Sequence, residues 1–286
     1  MAYVFPGCLC GCDAMTVVHV YDRPPQGENV FPALTGRYRR ELRRCAACGH
    51  FVSVFDGDLA GLYAAGYVDG VYRDAQGLRR NFERVNALPP ERSDNAGRVA
   101  AVAEEAARHF PAAAVAAGLD CLDVGSGLCV FLHRLKAHGF RGVALDPDPR
   151  AARHAETVAG VPGVAADFMT CPPFGPFDLL AFNKVLEHVV DPAAMLARSR
   201  LFLRPGGLVH VELPDGEAAF AHSPGREEFF IEHHHVFSAA SVCHLAKRAG
   251  MFVNALRRLR EPSGKFTFRA FLVPADAAGG KRSDHA

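Results

Sequence analysis

Apolar residues are spaced differently in the first fifth of the chain and in the remainder. Up to about residue 55 no period is sustained, whereas from about residue 119 short apolar runs of strand length alternate with segments of helical spacing. The strand-like runs lie at 119–124, 142–145, 177–182 and 208–213, and the segments between them include 130–137, 149–158 and 192–203. This alternation predicts a parallel sheet with helices on both faces, which is the doubly wound α/β class.

Capping residues mark two further helices around this region. Ser93 precedes an Ala-rich segment that runs to about Ala117, and Ser238 precedes a segment that Gly250 ends. Candidate strands at 252–259 and 265–273 follow. We therefore divide the chain into a Cys-rich module at 1–55, a helical bridge at 56–95, an α/β domain at 96–275 and a disordered tail at 276–286.

Composition and charge narrow the class of protein. Hydrophobic residues make up 49% of the 286 residues and charged residues 22%, the mixture of a folded globular protein. Thirty-two basic against thirty-one acidic side chains leave a net charge of +1, which disfavours a nucleic-acid partner. No apolar run approaches the roughly 18 residues of a membrane span, and no signal peptide is evident, so a cytoplasmic protein without a membrane partner is predicted.

A cluster of basic residues in the first module is open to two interpretations. Its members are Arg37, Arg39, Arg40, Arg43 and Arg44. The cluster is either a phosphate-binding patch or a solvated face, and the spacing favours the solvated face.

Cysteines are crowded near the N-terminus, where five of the nine fall in the first fifty residues. The segment Cys45-Ala-Ala-Cys48-Gly has the form of a zinc knuckle, in which two thiolates reach one tetrahedral ion. Its partner segment departs from the usual spacing. The predicted ligands of a structural zinc ion are Cys8, Cys10, Cys45 and Cys48, with Cys12 and His50 as alternatives and unmetallated buried thiols as the competing interpretation.

A glycine turn follows the first predicted strand. Gly125 and Gly127 would let a cofactor approach the backbone at the carboxyl edge of the sheet, although a lone Gly-x-Gly is weak evidence. Asp146 lies nineteen positions beyond Gly127, where a doubly wound fold places a carboxylate that binds ribose hydroxyls. A dinucleotide fingerprint would require glycine at position 130, and Val130 counts against NAD.

With these features the chain resembles the class I S-adenosylmethionine-dependent methyltransferases over about residues 96–273. The residues Asp123, Gly125, Ser126 and Gly127 match the family's first motif, in which Cys129 replaces a frequent third glycine. Asn183–Pro192 is similar to the fourth-strand motif, and 203–207 is similar to a family turn. The resemblance implies a Rossmann-like seven-stranded sheet and S-adenosylmethionine as cofactor. It further implies cofactor contacts from Asp146 to the ribose, Asp167 and Phe168 to the adenine, and Asn183.

Histidines after the fifth strand are the candidates for acceptor chemistry. Methyl transfer to a hydroxyl or carbon acceptor requires a group that removes a proton. His233 and His235 would share one face of an extended segment, with His234 pointing away, and both are predicted as candidate bases. Two alternatives stay open: the histidines satisfy backbone groups near the next helix, or they join Glu187 or His188 in a metal site.

The Cys-rich module gives a weaker indication of the acceptor. A module of this kind ahead of a methyltransferase domain is similar to sugar methyltransferases of deoxysugar and surface-polysaccharide pathways. The resemblance implies a small carbohydrate acceptor. The alternatives are a methyltransferase of RNA or protein docked through the module, and a scaffold that binds the cofactor without catalysis.

Overall fold

A computed structural model of the chain describes residues 7–29, 38–55 and 75–275. The strands are β1 Met15–Tyr21, β2 Arg40–Cys45, β3 Phe51–Phe55, β4 Asp120–Val124, β5 Arg141–Asp146, β6 Gly163–Ala165, β7 Phe177–Asn183, β8 Leu203–Pro214, β9 His235–Val236, β10 Met251–Arg260 and β11 Phe266–Pro274. The α-helices are α1 Ala75–Asn86, α2 Asp94–His109, α3 Ala112–Ala117, α4 Val130–Leu135, α5 Pro149–His154, α6 Pro192–Arg198, α7 Gly216–His222 and α8 Ala239–Arg248. The predictions for residues 56–74, for Arg37 and for the tail at 276–286 lie outside the described residues.

The main sheet carries the doubly wound topology that the sequence predicts. Within the described ranges it has seven strands in the order β10-β11-β8-β7-β4-β5-β6. Strands β4 to β8 are parallel, and β11 pairs antiparallel with both β8 and β10. Because β5 and β7 flank β4 on opposite sides, the strand order reverses there, and a crevice opens at the carboxyl ends of these strands.

Helices cover both faces of this sheet. One apolar core joins Val102 of α2 and Phe131 of α4 to the sheet face that contains Leu179. The other joins helices α6 and α8 to the face that contains Leu180. Because successive residues of β7 point to opposite faces, each face has its own core and the sheet is buried between two helical layers.

The predicted helix between Ser93 and Ala117 is two helices in the structure. Ser93 caps the first by accepting a hydrogen bond from the backbone of Ala96 at 3.2 Å, as predicted. The helix ends at His109, and Phe110 has an extended conformation (ψ 151°). The prediction of one continuous helix is wrong because Pro111 disfavours a helical conformation in the residue before it.

The other capping prediction is confirmed at α8. The Ser238 hydroxyl accepts a hydrogen bond from the Ser241 backbone at 3.0 Å, and the Ser241 hydroxyl accepts one from the Ser238 backbone at 2.9 Å. These reciprocal bonds form a capping box. Gly250 follows the helix with a φ of 68°, a left-handed conformation that favours glycine.

A second sheet joins the N-terminal residues to the α/β part of the chain. In the described ranges its order is β1-β2-β3-β9, and β9 pairs antiparallel with β3 through Phe51–Val236 and Val52–His235. The sequence pattern predicts none of these N-terminal strands. Strand β1 is half exposed and β2 is rich in arginine, so neither strand has the apolar alternation that identifies a buried strand.

The basic cluster is divided between the interior and the surface. Arg40 is fully buried, pairs with Glu28 at 2.9 Å, and donates hydrogen bonds to Ser53 and to the Phe229 carbonyl. Arg39 and Arg43 both pair with Glu41. The described part of the cluster is therefore neither an open phosphate patch nor, at Arg40, a solvated face.

None of the helices in the described ranges combines the length and the apolarity that a bilayer crossing requires.

Candidate functional site

The glycine turn lies at the carboxyl end of β4, in the crevice. Gly125 and Gly127 have φ values of 69° and 48°, and the Gly125 backbone donates to the Leu145 carbonyl at 2.8 Å. A Cβ atom at Gly125 would lie 2.8 Å from a methyl carbon of Val185. Cys129, which replaces the frequent third glycine, is buried with a φ of 56°. The positive φ of residue 125 and the contact that a Cβ atom would make with Val185 both require glycine there. Cys129 adopts a left-handed conformation that glycine adopts more readily.

Asp146 closes this turn from the end of β5. One of its carboxylate oxygens accepts a hydrogen bond from the Gly127 backbone at 2.9 Å, and the other accepts one from the Asp148 backbone at 3.0 Å. The side chain is buried, and this burial raises its pKa. A carboxylate oxygen accepts more than one hydrogen bond, so both oxygens retain capacity for the hydroxyls of a ribose.

Asp123 and Asn183 meet across the ends of β4 and β7. The Asn183 amide nitrogen donates to the Asp123 carboxylate at 2.8 Å. Burial raises the pKa of Asp123 to about 7, against the opposing effects of the Asn183 hydrogen bond and the Arg98 charge. Among the described residues, the Asn183 side-chain oxygen and the Ser126 hydroxyl are buried without a hydrogen-bond partner. These unsatisfied groups beside the glycine turn fit a polar cofactor with a cationic part, as S-adenosylmethionine has.

The two predicted adenine contacts lie in different environments. Asp167 is exposed and accepts a hydrogen bond from the Met169 backbone at 2.8 Å. Phe168 is buried, with its ring centroid 4.9 Å from that of Phe202 and 5.7 Å from that of Phe182. The Asp167 contact stays a prediction; the Phe168 ring packs in the core, which does not favour its contact with the adenine.

A cluster of one carboxylate and two imidazoles begins two residues after Val185, whose methyl groups pack against Gly125 of the glycine turn. Glu187 and His188 belong to a 3-10 turn, Leu186–His188, that follows β7, and His233 precedes β9. One ligand atom from each of these three side chains lies within 4.8 Å of the other two. Glu187 is fully buried, and neither of its carboxylate oxygens has a hydrogen-bond partner in the described part of the chain. Burial raises the pKa of Glu187 to about 7.

The two imidazoles of this cluster have a defined tautomer. Nδ1 of His188 lies 3.0 Å from the Glu232 carbonyl oxygen, and Nδ1 of His233 lies 2.8 Å from the Glu228 carbonyl oxygen. A carbonyl only accepts hydrogen bonds, so each Nδ1 carries the proton and each Nε2 carries a lone pair. Burial lowers the pKa of His188 to about 4 and that of His233 well below its usual range. Both rings are therefore neutral at pH 7.

His235 lies away from this cluster. Strand β9 begins at His235, so His233 is outside the strand and the expectation that the two share a face is wrong. Nδ1 of His235 lies 3.0 Å from His50 and Nε2 lies 3.2 Å from the Val190 carbonyl oxygen, with the ring 1% exposed. His235 thus contacts a backbone carbonyl, that of Val190 rather than one near the next helix, and its assignment as a base stays a prediction that this geometry does not favour.

The sequence indicated Glu187 and His188 only as alternative members of a metal site with the histidines. Their position immediately after β7 was the available signal, because side chains at that edge face the crevice. The contact of His188 with His233, forty-five positions away in the sequence, could not be predicted without the fold.

Four cysteines converge at the N-terminal end of the second sheet. The Sγ atoms of Cys8 and Cys48 are 3.3 Å apart, and Cys10 lies 3.5 Å from Cys8 and 3.6 Å from Cys45. A tetrahedral zinc ion with bonds of about 2.3 Å places its sulfur ligands about 3.8 Å apart, close to these distances. Cys12 is outside this group of four. The alternative assignment of His50 as a ligand is wrong, because its ring nitrogens contact Ser241 and His235.

Comparison with known proteins agrees with this geometry. A family model described as "Methyltransferase domain" matches residues 74–255. The ubiquinone biosynthesis O-methyltransferase of Caulobacter vibrioides is 30% identical over 128 residues, which cover 41% of this chain and 51% of that protein. The one from Methylocella silvestris is 35% identical over 107 residues, covering 32% and 38%. The chain thus spans about half the length, or less, of these curated relatives.

A solved structure shares the fold. The 1,6-didemethyltoxoflavin-N1-methyltransferase of Burkholderia thailandensis, with bound 1,6-didemethyltoxoflavin and S-adenosylhomocysteine, superposes with a TM-score of 0.53 and 18% identity. The match covers 86% of this chain and 98% of that one. Since the family model covers well over half of the residues, the chain belongs to the methyltransferase domain family, with the fold of its class I S-adenosylmethionine-dependent members.

Proposed function

We propose that the chain transfers a methyl group from S-adenosylmethionine to a hydroxyl group of a small acceptor. The observation that carries this proposal is the adjacency of two features: a glycine turn closed by Asp146, and acceptor groups from Glu187, His188 and His233 at the neighbouring strand end. Val185 links the two, because its methyl groups pack against Gly125.

The cofactor supplies a methyl group on a cationic sulfur. Asp146 would hold the ribose hydroxyls, and the Asn183 side-chain oxygen would accept a hydrogen bond from a cationic donor group. The Asp123 carboxyl orients Asn183. Burial raises its pKa to about 7, and a bound cation would favour its ionised form, whose interaction with that cation is strengthened in a buried site. Asp167 remains the proposed contact for the adenine edge.

His233 is the better of the two predicted bases. Its Nε2 carries a lone pair, and its ring is half buried rather than enclosed. In the transfer the S–CH3 bond breaks with its electron pair left on sulfur, the O–CH3 bond forms, and His233 takes the hydroxyl proton. The nitrogens of His235 are both engaged, so it would have to break a contact with His50 or Val190 first.

The acceptor class is proposed as a sugar, a nucleotide-linked sugar or a polysaccharide unit. The resemblance of the Cys-rich module supports a carbohydrate. The curated relatives are named O-methyltransferases, which favours a hydroxyl acceptor. Docking of RNA through the basic cluster is disfavoured because Arg40 is buried and Arg43 is paired with Glu41. A scaffold without catalysis would have no need for the Glu187 cluster beside the turn.

A structural zinc ion is proposed at Cys8, Cys10, Cys45 and Cys48. The convergence of four sulfur atoms from two separate segments supports it, and all nine cysteines are free thiols. Thiolate ligands persist in a reducing compartment, so we further propose the cytoplasm as the location.

The test is transfer of a labelled methyl group to a panel of sugars, nucleotide sugars, glycans and RNA, with cofactor binding measured separately by calorimetry. We expect one S-adenosylmethionine per chain and transfer to a hydroxylated small molecule. Transfer to RNA alone would overturn the acceptor class, and absence of cofactor binding would overturn the function.

The base is tested by His233→Gln. We expect kcat to fall by about 10²–10⁴-fold with unchanged cofactor affinity. His222→Gln is the matched control, because His222 is exposed, and its contacts, with the Ala218 carbonyl of its own helix and the ring of Phe266, lie outside the Glu187 cluster. Full activity of His233→Gln would show that another group removes the proton.

A further inference from the structure

We propose that Glu187, His188 and His233 bind a divalent transition-metal cation on the acceptor side of the crevice. The proposed binding rests on the distances and hydrogen bonds of these three side chains. The role given to the cation rests on the proposed function, because it concerns how the acceptor hydroxyl is activated.

The three side chains supply a suitable set of ligand atoms. One carboxylate oxygen and two imidazole nitrogens lie within 4.8 Å of one another. Two segments far apart in the sequence contribute them, the turn Leu186–His188 and the residues just before β9. Two imidazoles and one carboxylate on the same side of an ion form a donor set that transition metals use, with further positions open.

The carboxylate lacks the partner that a buried acid normally has. Glu187 is fully buried, and both of its oxygens are without a hydrogen-bond donor among the described residues. Buried charged groups are normally paired or coordinate a metal. The ligand atoms of His188 and His233 lie within 4.8 Å of the Glu187 carboxylate, and a cation bound among the three side chains would give that carboxylate its missing partner.

The imidazoles are oriented as metal ligands usually are. In each ring Nδ1–H donates to a backbone carbonyl, Glu232 for His188 and Glu228 for His233. Metal-ligating histidines almost always donate their other N–H in this way, which fixes the tautomer and the direction of the ring. The site is therefore organised before a metal arrives.

Two lysines near the cluster affect which cation it would select. The Lys184 ammonium donates to the Thr267 hydroxyl at 2.9 Å, and the Lys265 ammonium pairs with Glu227 at 3.2 Å. Both add positive charge near Glu187, and neither is bonded to it. Long-range attraction for a cation is thus weak, and binding depends on direct ligation. The two imidazoles favour iron, nickel, copper or zinc over calcium or magnesium, and the carboxylate also suits manganese.

The open positions on the cation give it a role in the proposed reaction. A hydroxyl, or two adjacent hydroxyls of one acceptor, would bind there, and the cation would lower the hydroxyl pKa so that the proton is lost to water. His233 then acts as a ligand, and it takes the proton itself only in the metal-free protein. An acceptor with vicinal hydroxyl groups is the class that such a site would select.

The experiment measures metal binding without cofactor or acceptor. Protein whose four-cysteine site is filled with zinc is titrated with Mn²⁺, and free Mn²⁺ is followed by electron paramagnetic resonance. We expect one Mn²⁺ per chain in the unaltered protein and in His222→Gln. Glu187→Gln and His233→Gln should each weaken binding by at least about 10-fold, while circular dichroism and S-adenosylmethionine binding stay unchanged.

The outcomes separate the cation from the function. No Mn²⁺ binding, or equal binding by Glu187→Gln and the unaltered protein, would overturn the inference even if methyl transfer proceeds. If Glu187→Gln abolishes Mn²⁺ binding, the cation site is supported. If in addition no acceptor is methylated, the proposed function is overturned while the cation site still stands.

Discussion

Asp123 is a buried acid whose ionisation opposes folding. Burial raises its pKa to about 7, against an ordinary value of about 3.9. Asn183 and Arg98 favour the charged form and Asp146 disfavours it. Since the folded pKa is the higher one, the stability associated with the neutral carboxyl is fully present below about pH 4. It is lost as the pH rises through about 7.

This pKa shift predicts a pH-dependent effect of Asp123→Asn. Because asparagine cannot ionise, the free energy of unfolding of the variant should fall less between about pH 4 and pH 8. The difference from the unaltered protein should reach up to about 4 kcal/mol. Urea unfolding of both proteins across this pH range measures this difference in the free energy of unfolding. Groups that titrate equally in the two proteins do not contribute to the difference. The neighbouring thiols of Cys121 and Cys129 stay neutral, because burial raises their pKa. A pH-independent difference would contradict the assignment.

Asp146 is the residue on which cofactor affinity should depend most. Replacing its carboxylate by the amide in Asp146→Asn removes charged acceptors from the turn, so S-adenosylmethionine should bind about 10–100-fold more weakly. Calorimetry measures the change. Asp148→Asn is the control, because Asp148 lies two positions away and pairs with Arg150. Equal losses in the two variants would point to a general disturbance of the turn.

Residues whose role depends on one strand end were predictable, and residues whose role depends on distant partners were not. Asp123 is the last residue but one of β4 and Asp146 is the last residue of β5, and apolar spacing reveals both strands, so the positions of the two acids follow from local sequence. The difference between His233 and His235 depends on His188 and His50, which reach them only through the fold.

Helix α8 connects the two sheets through its capping residue. The Ser238 hydroxyl accepts from the Ser241 backbone and donates to the Cys48 carbonyl at 2.5 Å, so one side chain ties the helix start to the segment Cys45–Cys48 of the proposed zinc site. Ser238→Ala should lower the free energy of unfolding by about 1–2 kcal/mol, measured by urea denaturation. Ser223→Ala, at an exposed position after α7, should change it by less than about 0.5 kcal/mol. If both variants lower the free energy of unfolding equally, the Ser238 cap does not stabilise the protein in the way proposed.

Elements were predictable where burial on both faces leaves a strong apolar signal. Strands β4, β5 and β7 are such elements, since a parallel sheet between two helical layers needs near-continuous apolar runs. The antiparallel strands β1 and β2 gave no such signal, because β1 is half exposed and β2 buries Arg40 beside Glu28. The end of α2 could have been predicted from Pro111, because proline restricts the conformation of the residue directly before it.

At the scale of the whole molecule, the Cys-rich module and the methyltransferase domain share a sheet. Strand β9 comes from the segment that carries His233, and it pairs with β3, which follows the cysteines Cys45 and Cys48 of the proposed zinc site. His50 then contacts His235, and His235 contacts the Val190 carbonyl just beyond the Glu187 turn. The cofactor turn lies in the other sheet. Loss of zinc should therefore disturb the acceptor side before the cofactor side.

Cys45→Ser tests this coupling. We expect the variant to lose the proposed zinc ion, to unfold at a temperature ~10 °C lower or more, and to transfer methyl groups at least about 10-fold more slowly. Its affinity for S-adenosylmethionine at the folding temperature should change little, because Gly127 and Asp146 are held by the main sheet. Metal analysis, thermal unfolding, calorimetry and labelled transfer measure the four quantities. Cys243→Ser, an exposed thiol on α8, is the control and should match the unaltered protein. If Cys45→Ser retains its zinc, the four-cysteine assignment is wrong; if it loses cofactor binding together with transfer, the two sides of the crevice unfold as one unit.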